Sequence, residues 1–308
     1  MLNMNKSAIW AIASGKGGVG KSFFTSNLSI DLAQKDKNVV AIDADFGGPN
    51  LHTFFNPYTS KISISDFINN PQIRLDDVLL PTGFTNLKLA SGSHDTFDLA
   101  NPTLKQQHKF QKALETLNAD YVIVDLGAGT SHHTLDLFLM ANKSILVTIP
   151  EPTSVENAYR FIKSAIYRKL KSVIQNPEVK RLLESMTEKK QGYRFRTPSQ
   201  LVNDINKIDT KAGNRIRHEL ATFRPKLVVN QIRTLSDVKI GFSMRQACLK
   251  YFGIKLEYTG FIEHDKSVLR SIRARQPVIL YAPKSPASNS VRKIAHNMRY
   301  NYHLISNG

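Results

Sequence analysis

The sequence predicts a doubly wound α/β fold, with a mainly parallel β-sheet and helices on both of its faces. Three observations carry that expectation. Short apolar runs recur along the chain, and several are apolar at consecutive positions, as strands covered on both faces must be. Helix-like stretches separate these runs in alternation, which implies crossover connections and parallel pairing. With 308 residues and 41% hydrophobic content, the chain can bury a sizeable core.

The elements follow in order. "AIWAIAS" (8–14) reads as the first strand and 21–36 as the first helix. "VVAIDAD" (39–45) and "LKLAS" (87–91) read as the next two strands. Asn101-Pro102-Thr103 starts a helix over 103–118, because Thr can cap it and Pro restricts the residue before it. The strand "YVIVDLG" (121–127), a helix over 133–141, the strand "SILVTIP" (144–150) and a long helix from about 153 to 175 follow. "KLVVNQI" (226–232) is a further core strand. One domain over 1–308 is expected, with a basic helical insertion over about 165–224 and a basic helix at 285–308. The part of the insertion from 176 onward, which includes "EKKQGYRFRTPSQ", reads as helices around an exposed loop. No internal repeat or low-complexity tract interrupts this order.

The net charge of +17 is unevenly distributed. From Tyr159 to Arg224 there are 16 Lys and Arg against 6 Asp and Glu, and from Asp265 to Gly308 there are 8 against 1. Such asymmetry points to an anionic partner, either nucleic acid or the inner face of a membrane. The single cysteine, Cys248, excludes an internal disulfide and any multi-cysteine metal site within one chain, and fits a reducing cytosol. The N-terminus shows no signal-peptide cleavage site, and no stretch reaches the length of a membrane span.

The chemistry is concentrated in "ASGKGGVGKS" (13–22), where Gly15, Gly20, Lys21 and Ser22 fill the pattern G-x-x-x-x-G-K-[ST] between a strand and a helix. Glycines let the backbone aim its N–H groups at phosphate oxygens, and the helix directs its positive dipole end at the same place. The nucleotide-binding set is therefore Gly15, Lys16, Gly17, Gly18, Val19, Gly20, Lys21, Ser22 and, at the start of the helix, Phe23. Lys21 would reach the β- and γ-phosphates of ATP, and the Ser22 hydroxyl would bind Mg²⁺. Lys16 is one cation more than the pattern requires. Asp125 ends an apolar strand, where a metal-supporting carboxylate sits in nucleotide-hydrolysing sheets. Gly127 and Gly129 follow it and could let the backbone approach the γ-phosphate. Asp43 and Asp45 end another strand; one could orient the attacking water and the other support Mg²⁺ through water.

In this order and spacing, "GKGGVGKS", "DADFGGPNL" and "VIVDLGAGT" resemble the deviant Walker A ATPases of the MinD/ParA superfamily, which share a P-loop NTPase fold. "SILVTIPEPTSVENAYRFIK" (144–163) is similar to the flagellar-number regulator branch called FlhG, FleN or YlxH. The similarity returns at "LVVNQI" and "GFIEHDKSVLRSIRARQPVILYAPKSPAS". The resemblance implies an ATP-sandwiched homodimer in which Lys16, as the signature lysine, reaches the partner's nucleotide. It assigns catalytic roles to Lys16, Lys21, Asp45 and Asp125, the Mg²⁺ hydroxyl to Ser22 and adenine recognition to Asn230; together with the strand-end carboxylates, the metal set is Ser22, Asp43, Asp45 and Asp125. The function it implies is a slow, dimer-activated, Mg²⁺-dependent ATPase that positions or counts a cellular structure such as flagella. It would work with an activating or cargo protein, in the cytoplasm and peripherally on the inner face of a membrane.

Only seven residues precede the first strand, so the N-terminal activator segment of that branch is not expected. In the tail, Val291, Ile294, Ala295, Met298 and Tyr302 recur at helical spacing. They suit either a membrane-binding helix or a last core-packing helix. Two alternatives stay open: a ParA-like ATPase that binds DNA non-specifically, and an Mrp-type iron–sulfur carrier. The carrier is expected to hold its cluster through a C-x-x-C pair, and Cys248 stands alone.

Overall fold

The computed structural model describes residues 7–55, 62–91, 102–185 and 198–305. Its strands are β1 (Ala8–Ser14), β2 (Val39–Ala44), β3 (Leu80–Pro81), β4 (Leu87–Ala90), β5 (Tyr121–Ala128), β6 (Lys143–Thr148), β7 (Lys226–Ile232) and β8 (Glu257–Glu263). The helices of the first half are α1 (Lys21–Ala33), α2 (His52–Phe55), α3 (Ile64–Asn69), α4 (Leu104–Thr116), α5 (His132–Met140) and α6 (Pro152–Val173). Those of the second half are α7 (Pro177–Ser185), α8 (Pro198–Ile208), α9 (Thr210–Thr222), α10 (Leu235–Phe252), α11 (Lys266–Arg273), α12 (Val278–Tyr281) and α13 (Pro286–Tyr300).

The strands form one sheet in the order β3-β4-β2-β5-β1-β6-β7-β8. Only the two-residue β3 pairs antiparallel; every other pairing is parallel. The consecutive apolar runs have a direct cause. Ile9, Ala11 and Ala13 of β1 enter one core, whereas Trp10 and Ile12 enter the other. Val40, Ile42 and Ala44 of β2 divide from Val39 and Ala41 in the same way. The first core is closed by Phe138 of α5, Phe161 of α6 and Ile216 of α9, the second by Phe24 and Leu28 of α1 and Ile294 of α13.

Local signals place the helix starts. Thr103 caps α4 in a reciprocal box, where Gln106 N–H donates to the Thr103 hydroxyl and Gln106 Oε1 accepts from Thr103 N–H at 2.8 Å. Pro152 opens α6 in its first turn, where a missing N–H costs nothing. Val179, Leu201, Ile205 and Leu220 of the basic 165–224 region belong to the first core, and Arg168 clamps Asp136 through two 2.7 Å hydrogen bonds. Most of "EKKQGYRFRTPSQ" lies outside the described residues.

Several boundaries differ from expectation. β2 ends at Ala44, so Asp45 lies in the following turn rather than in the strand. The C-terminal helix stops at Tyr300, where Asn301 adopts a left-handed cap (φ 58°), instead of extending to the terminus. Its residues Val291, Ile294, Ala295 and Met298 are buried, which is the core-packing alternative, and Tyr302 falls beyond the helix and is exposed.

The expected elements do not include β3, α2, α3, α10, β8, α11 or α12, and two of these show why. β8 is interrupted by Glu257, Gly260 and Glu263 and carries a register shift, its pairing with β7 passing from Tyr258 to Gly260. Its period-two signal is therefore lost. α10 buries only a narrow stripe of Gly241, Met244 and Cys248 and leaves Leu235, Leu249 and Tyr251 exposed, so it has no clean helical period. Among the described residues no helix is long and apolar enough to cross a membrane.

Candidate nucleotide-binding site

The site is built where β1, in the middle of the sheet, turns into α1 through residues 15–20. Gly20 forms the N-cap of α1 with φ 86°, and a Cβ there would lie 2.2 Å from Asn230 Nδ2. The turn thus requires glycine for two reasons, a left-handed backbone and a close approach. A Cβ at Gly15 would lie 2.3 Å from the Asn157 carbonyl oxygen of α6, which fixes the other end of the loop. Cβ atoms at Gly17 and Gly18 would meet nothing within 4 Å, so the loop's mouth is open. Val19 and Phe23 are buried in the second core beneath it.

The inner wall gathers around Asp125, which is 1% exposed; it lies within β5, which runs on to Ala128 instead of ending at the carboxylate. Ser22 Oγ donates to its Oδ2 at 2.6 Å, and Lys21 Nζ lies 3.0 Å from its Oδ1. Thr25 Oγ1 lies 2.7 Å from the same Oδ1, one turn along α1. The sequence reading missed Thr25; its spacing of four from Lys21 was the available signal. Asp43 is the direct register partner of Asp125 on the neighbouring strand. Burial, and next the Asp125 carboxylate, push Asp43 up to about 7. Its two oxygens accept from Leu51 N–H at 2.8 Å and Asp45 N–H at 3.2 Å, so it shapes the turn that follows β2.

Asp45 reaches back over β5, its Oδ1 3.4 Å from where a Gly127 Cβ would stand. Burial raises its pKa, and Lys21 acts in the opposite direction. Beside it Phe46 stacks on His133, with centroids 5.0 Å apart, and Phe110 packs at 6.0 Å. His133 is 7% exposed, neither of its nitrogens has a partner, and burial lowers its pKa to about 4. The sequence reading singled out neither His133 nor Phe46.

Lys16 and Asn230 occupy the edges of the site. Lys16, 36% exposed, lies 3.2 Å from Glu151 Oε2 and 3.4 Å from Thr153 Oγ1 at the start of α6. It points away from the inner wall. Asn230 donates from Nδ2 to the Val19 carbonyl at 2.8 Å and accepts at Oδ1 from Gln231 N–H at 2.8 Å. Both ends of the amide therefore brace the loop against β7.

These residues suit ATP with Mg²⁺. The open glycine mouth fits a phosphate chain, and the hydroxyl and carboxylates are hard oxygen donors. Among the described residues no group of three or more His, Cys, Asp or Glu could hold a metal alone. A cluster carried on thiolates fits poorly, because Cys248 is alone and buried, and burial pushes its thiol up to about 12.

Comparison with known proteins agrees with this architecture. Residues 5–191 match the ParA family model, whose description is NUBPL iron-transfer P-loop NTPase. The chain is 26% identical to the antiactivator FleN of Pseudomonas aeruginosa over 303 residues, covering 97% of this chain and 88% of FleN. It is 29% identical to the flagellum site-determining protein YlxH of Helicobacter pylori over 161 residues, covering 52% of this chain and 54% of YlxH. The septum site-determining protein MinD of Pyrococcus horikoshii, solved with Mg-ADP, shares the fold with a TM-score of 0.64 and 19% identity, covering 95% of this chain and 96% of that one. The family match spans more than half of the chain and contains the loop, β2 and β5 with Asp125, and the protein belongs to the ParA family of P-loop NTPases.

Proposed function

We propose that this protein is an ATPase switch that closes into a homodimer around ATP and opens after hydrolysis, and so positions or counts a cellular structure. Flagella are the structure that the name of one relative, the flagellum site-determining protein YlxH, points to. The observation that carries the reading is the division of the loop's two lysines, with Lys21 buried on Asp125 and Lys16 turned outward on an exposed ion pair.

In this mechanism the loop N–H groups hold the phosphates, and Lys21 transfers from Asp125 to the β- and γ-oxygens. Ser22, backed by Asp125, would hold Mg²⁺, and Asp43 and Asp45 would serve that site only through water. Bound Mg²⁺ would supply charge neutralisation on the phosphate oxygens. Asp45 orients the attacking water above Gly127. Lys16 leaves Glu151, an exposed pair worth about 1 kcal/mol at most, and meets the charge developing on the partner's nucleotide. Asn230 would meet adenine only from its position against Val19, as a support of the base pocket. An activating or cargo protein and the inner face of a membrane complete the cycle in the cytoplasm.

The test is turnover measured against protein concentration. The native rate per chain should rise as dimers form, and Lys16→Ala should remove that rise and lower the plateau roughly 100-fold or more, as expected for loss of a charge aimed at the transition state. Unaltered turnover of Lys16→Ala at high concentration would refute the cross-subunit role. The basic excess from Tyr159 to Arg224 supports a second reading, a DNA-retained ATPase. Salt-sensitive, sequence-independent retention of the ATP-bound protein on DNA would favour it.

A further inference from the structure

Two basic helices close the chain, and they orient their apolar residues in opposite ways. α13 buries Val291, Ile294, Ala295 and Met298. α11, with the sequence KSVLRSIR, turns its small residues inward instead. Ser271 is 1% exposed and bonds back to the Val268 carbonyl, and Ser267 and Val268 are half-buried. Leu269 and Ile272 remain 55% and 45% exposed. The orientation is fixed by Asp265, which caps α11 at Ser267 N–H (2.8 Å) and accepts from Ala287 N–H of α13 (3.2 Å). The helix is therefore held in place with its aliphatic pair facing out.

Cations flank that pair. Lys266, Arg270, Arg273 and Arg275 are all exposed, and none forms an ion pair with a carboxylate among the described residues. At 100° per residue, Val268, Ile272 and Leu269 share one sector, and Arg273, Lys266 and Arg270 occupy the adjoining one. The helix itself contains no acidic residue. An apolar strip bordered by unpaired cations matches the boundary between anionic headgroups and acyl chains. Duplex DNA would use the arginines but leave the aliphatic pair in water.

We propose that α11 is a contact site for an anionic lipid surface, with Leu269 and Ile272 entering the acyl boundary and Lys266, Arg270, Arg273 and Arg275 meeting phosphate headgroups. This rests on the membrane-surface part of the reading above, but not on ATP turnover. The contact lies on α11, outside the C-terminal helix, because the apolar face of α13 is already spent on the core.

The experiment is co-sedimentation of the full chain with vesicles of phosphatidylglycerol and phosphatidylcholine, with pure phosphatidylcholine as the control. Binding should require the anionic lipid and weaken with salt. L269E/I272E and R270Q/R273Q should each reduce the bound fraction roughly tenfold or more, with circular dichroism and solution ATPase rates retained. Unchanged vesicle binding by both variants would overturn the proposal, as would absence of binding by the native chain. Retention on random-sequence duplex DNA, lost in R270Q/R273Q but kept in L269E/I272E, would also overturn it and assign α11 to nucleic acid. Normal turnover without vesicle binding would sink this inference alone, whereas lost turnover would sink the ATPase reading.

Discussion

Lys21 and Lys16 lie five residues apart on one loop, yet they inhabit different chemical environments. Lys21 is 8% exposed and sits against a carboxylate that is 1% exposed, at the centre of a sheet. Lys16 is 36% exposed and meets a glutamate at the solvent-facing start of a helix. In the low dielectric of the inner wall, either partner of a charge pair becomes a liability when the other is removed. On the rim, water and salt screen the pair, so it can open at little cost. The motif writes both residues as lysine; burial separates the fixed component from the movable one.

The hardest test of this contrast is Asp125→Ala. It leaves Lys21 buried without its carboxylate and strips Ser22 and Thr25 of their acceptor, so unfolding free energy should fall by about 3–5 kcal/mol. Hydrolysis should be lost with it. A urea melt showing a loss below about 1 kcal/mol would mean that the inner wall is as well solvated as the rim.

The second test uses pH, because the inner side carries two buried titrating groups of opposite sign. Asp43, raised from 3.8 to about 7, keeps a proton in the folded chain that the unfolded chain has released. Its effect is loss of stability as pH rises through that window. His133, lowered from 6.5 to about 4, refuses a proton that the unfolded chain accepts. Its effect is loss of stability as pH falls through its window. The two largely offset each other between about 4 and 6.5. Asp43→Asn should expose the His133 limb and His133→Phe the Asp43 limb, each with a slope of up to ~1.4 kcal/mol per pH unit. Denaturation midpoints that remain flat in both variants would show that neither group titrates differently on folding.

The smallest effect is expected on the rim. Glu151→Gln should change stability by less than about 1 kcal/mol and should ease ATP-dependent dimerisation, or leave it unchanged, because Lys16 is released rather than lost. Light scattering that shows weaker dimers would break the comparison, since Glu151 would then be part of the closed site.

Much of this arrangement was legible in the sequence. The strand–loop–helix placement of Gly15 to Ser22 gives the loop, and consecutive apolar runs such as "AIWAIAS" give strands buried on both faces. What escaped was whatever depends on long-range register. β8 has its period broken by Glu257, Gly260 and a bulge, and α10 packs through a stripe too narrow to show in its composition. Thr25 was legible by its one-turn spacing from Lys21, but only the position of Asp125 gives it a purpose. His133 had no signal, because its burial depends on Phe46 and Phe110 arriving from two other segments. α13 reads as a basic helix with an apolar period, α11 is not among the expected helices, and periodicity cannot say which side of a helix faces the protein.

The two ends of the sheet carry a further consequence. At one end β3 has only two residues, and Pro81 has no N–H to offer a neighbouring strand. At the other, Leu304 N–H donates to the Tyr258 carbonyl at 2.7 Å, so the chain's own tail occupies the start of the β8 edge. Both margins are thus guarded against lateral growth, the route by which exposed strands recruit copies of themselves into aggregates. Strand addition is thus disfavoured at both edges, whereas the strand tips, where the glycine mouth opens, stay clear. Sheet margins closed in this way leave the reversible dimer of the proposed function without a competing, irreversible route through the strand edges.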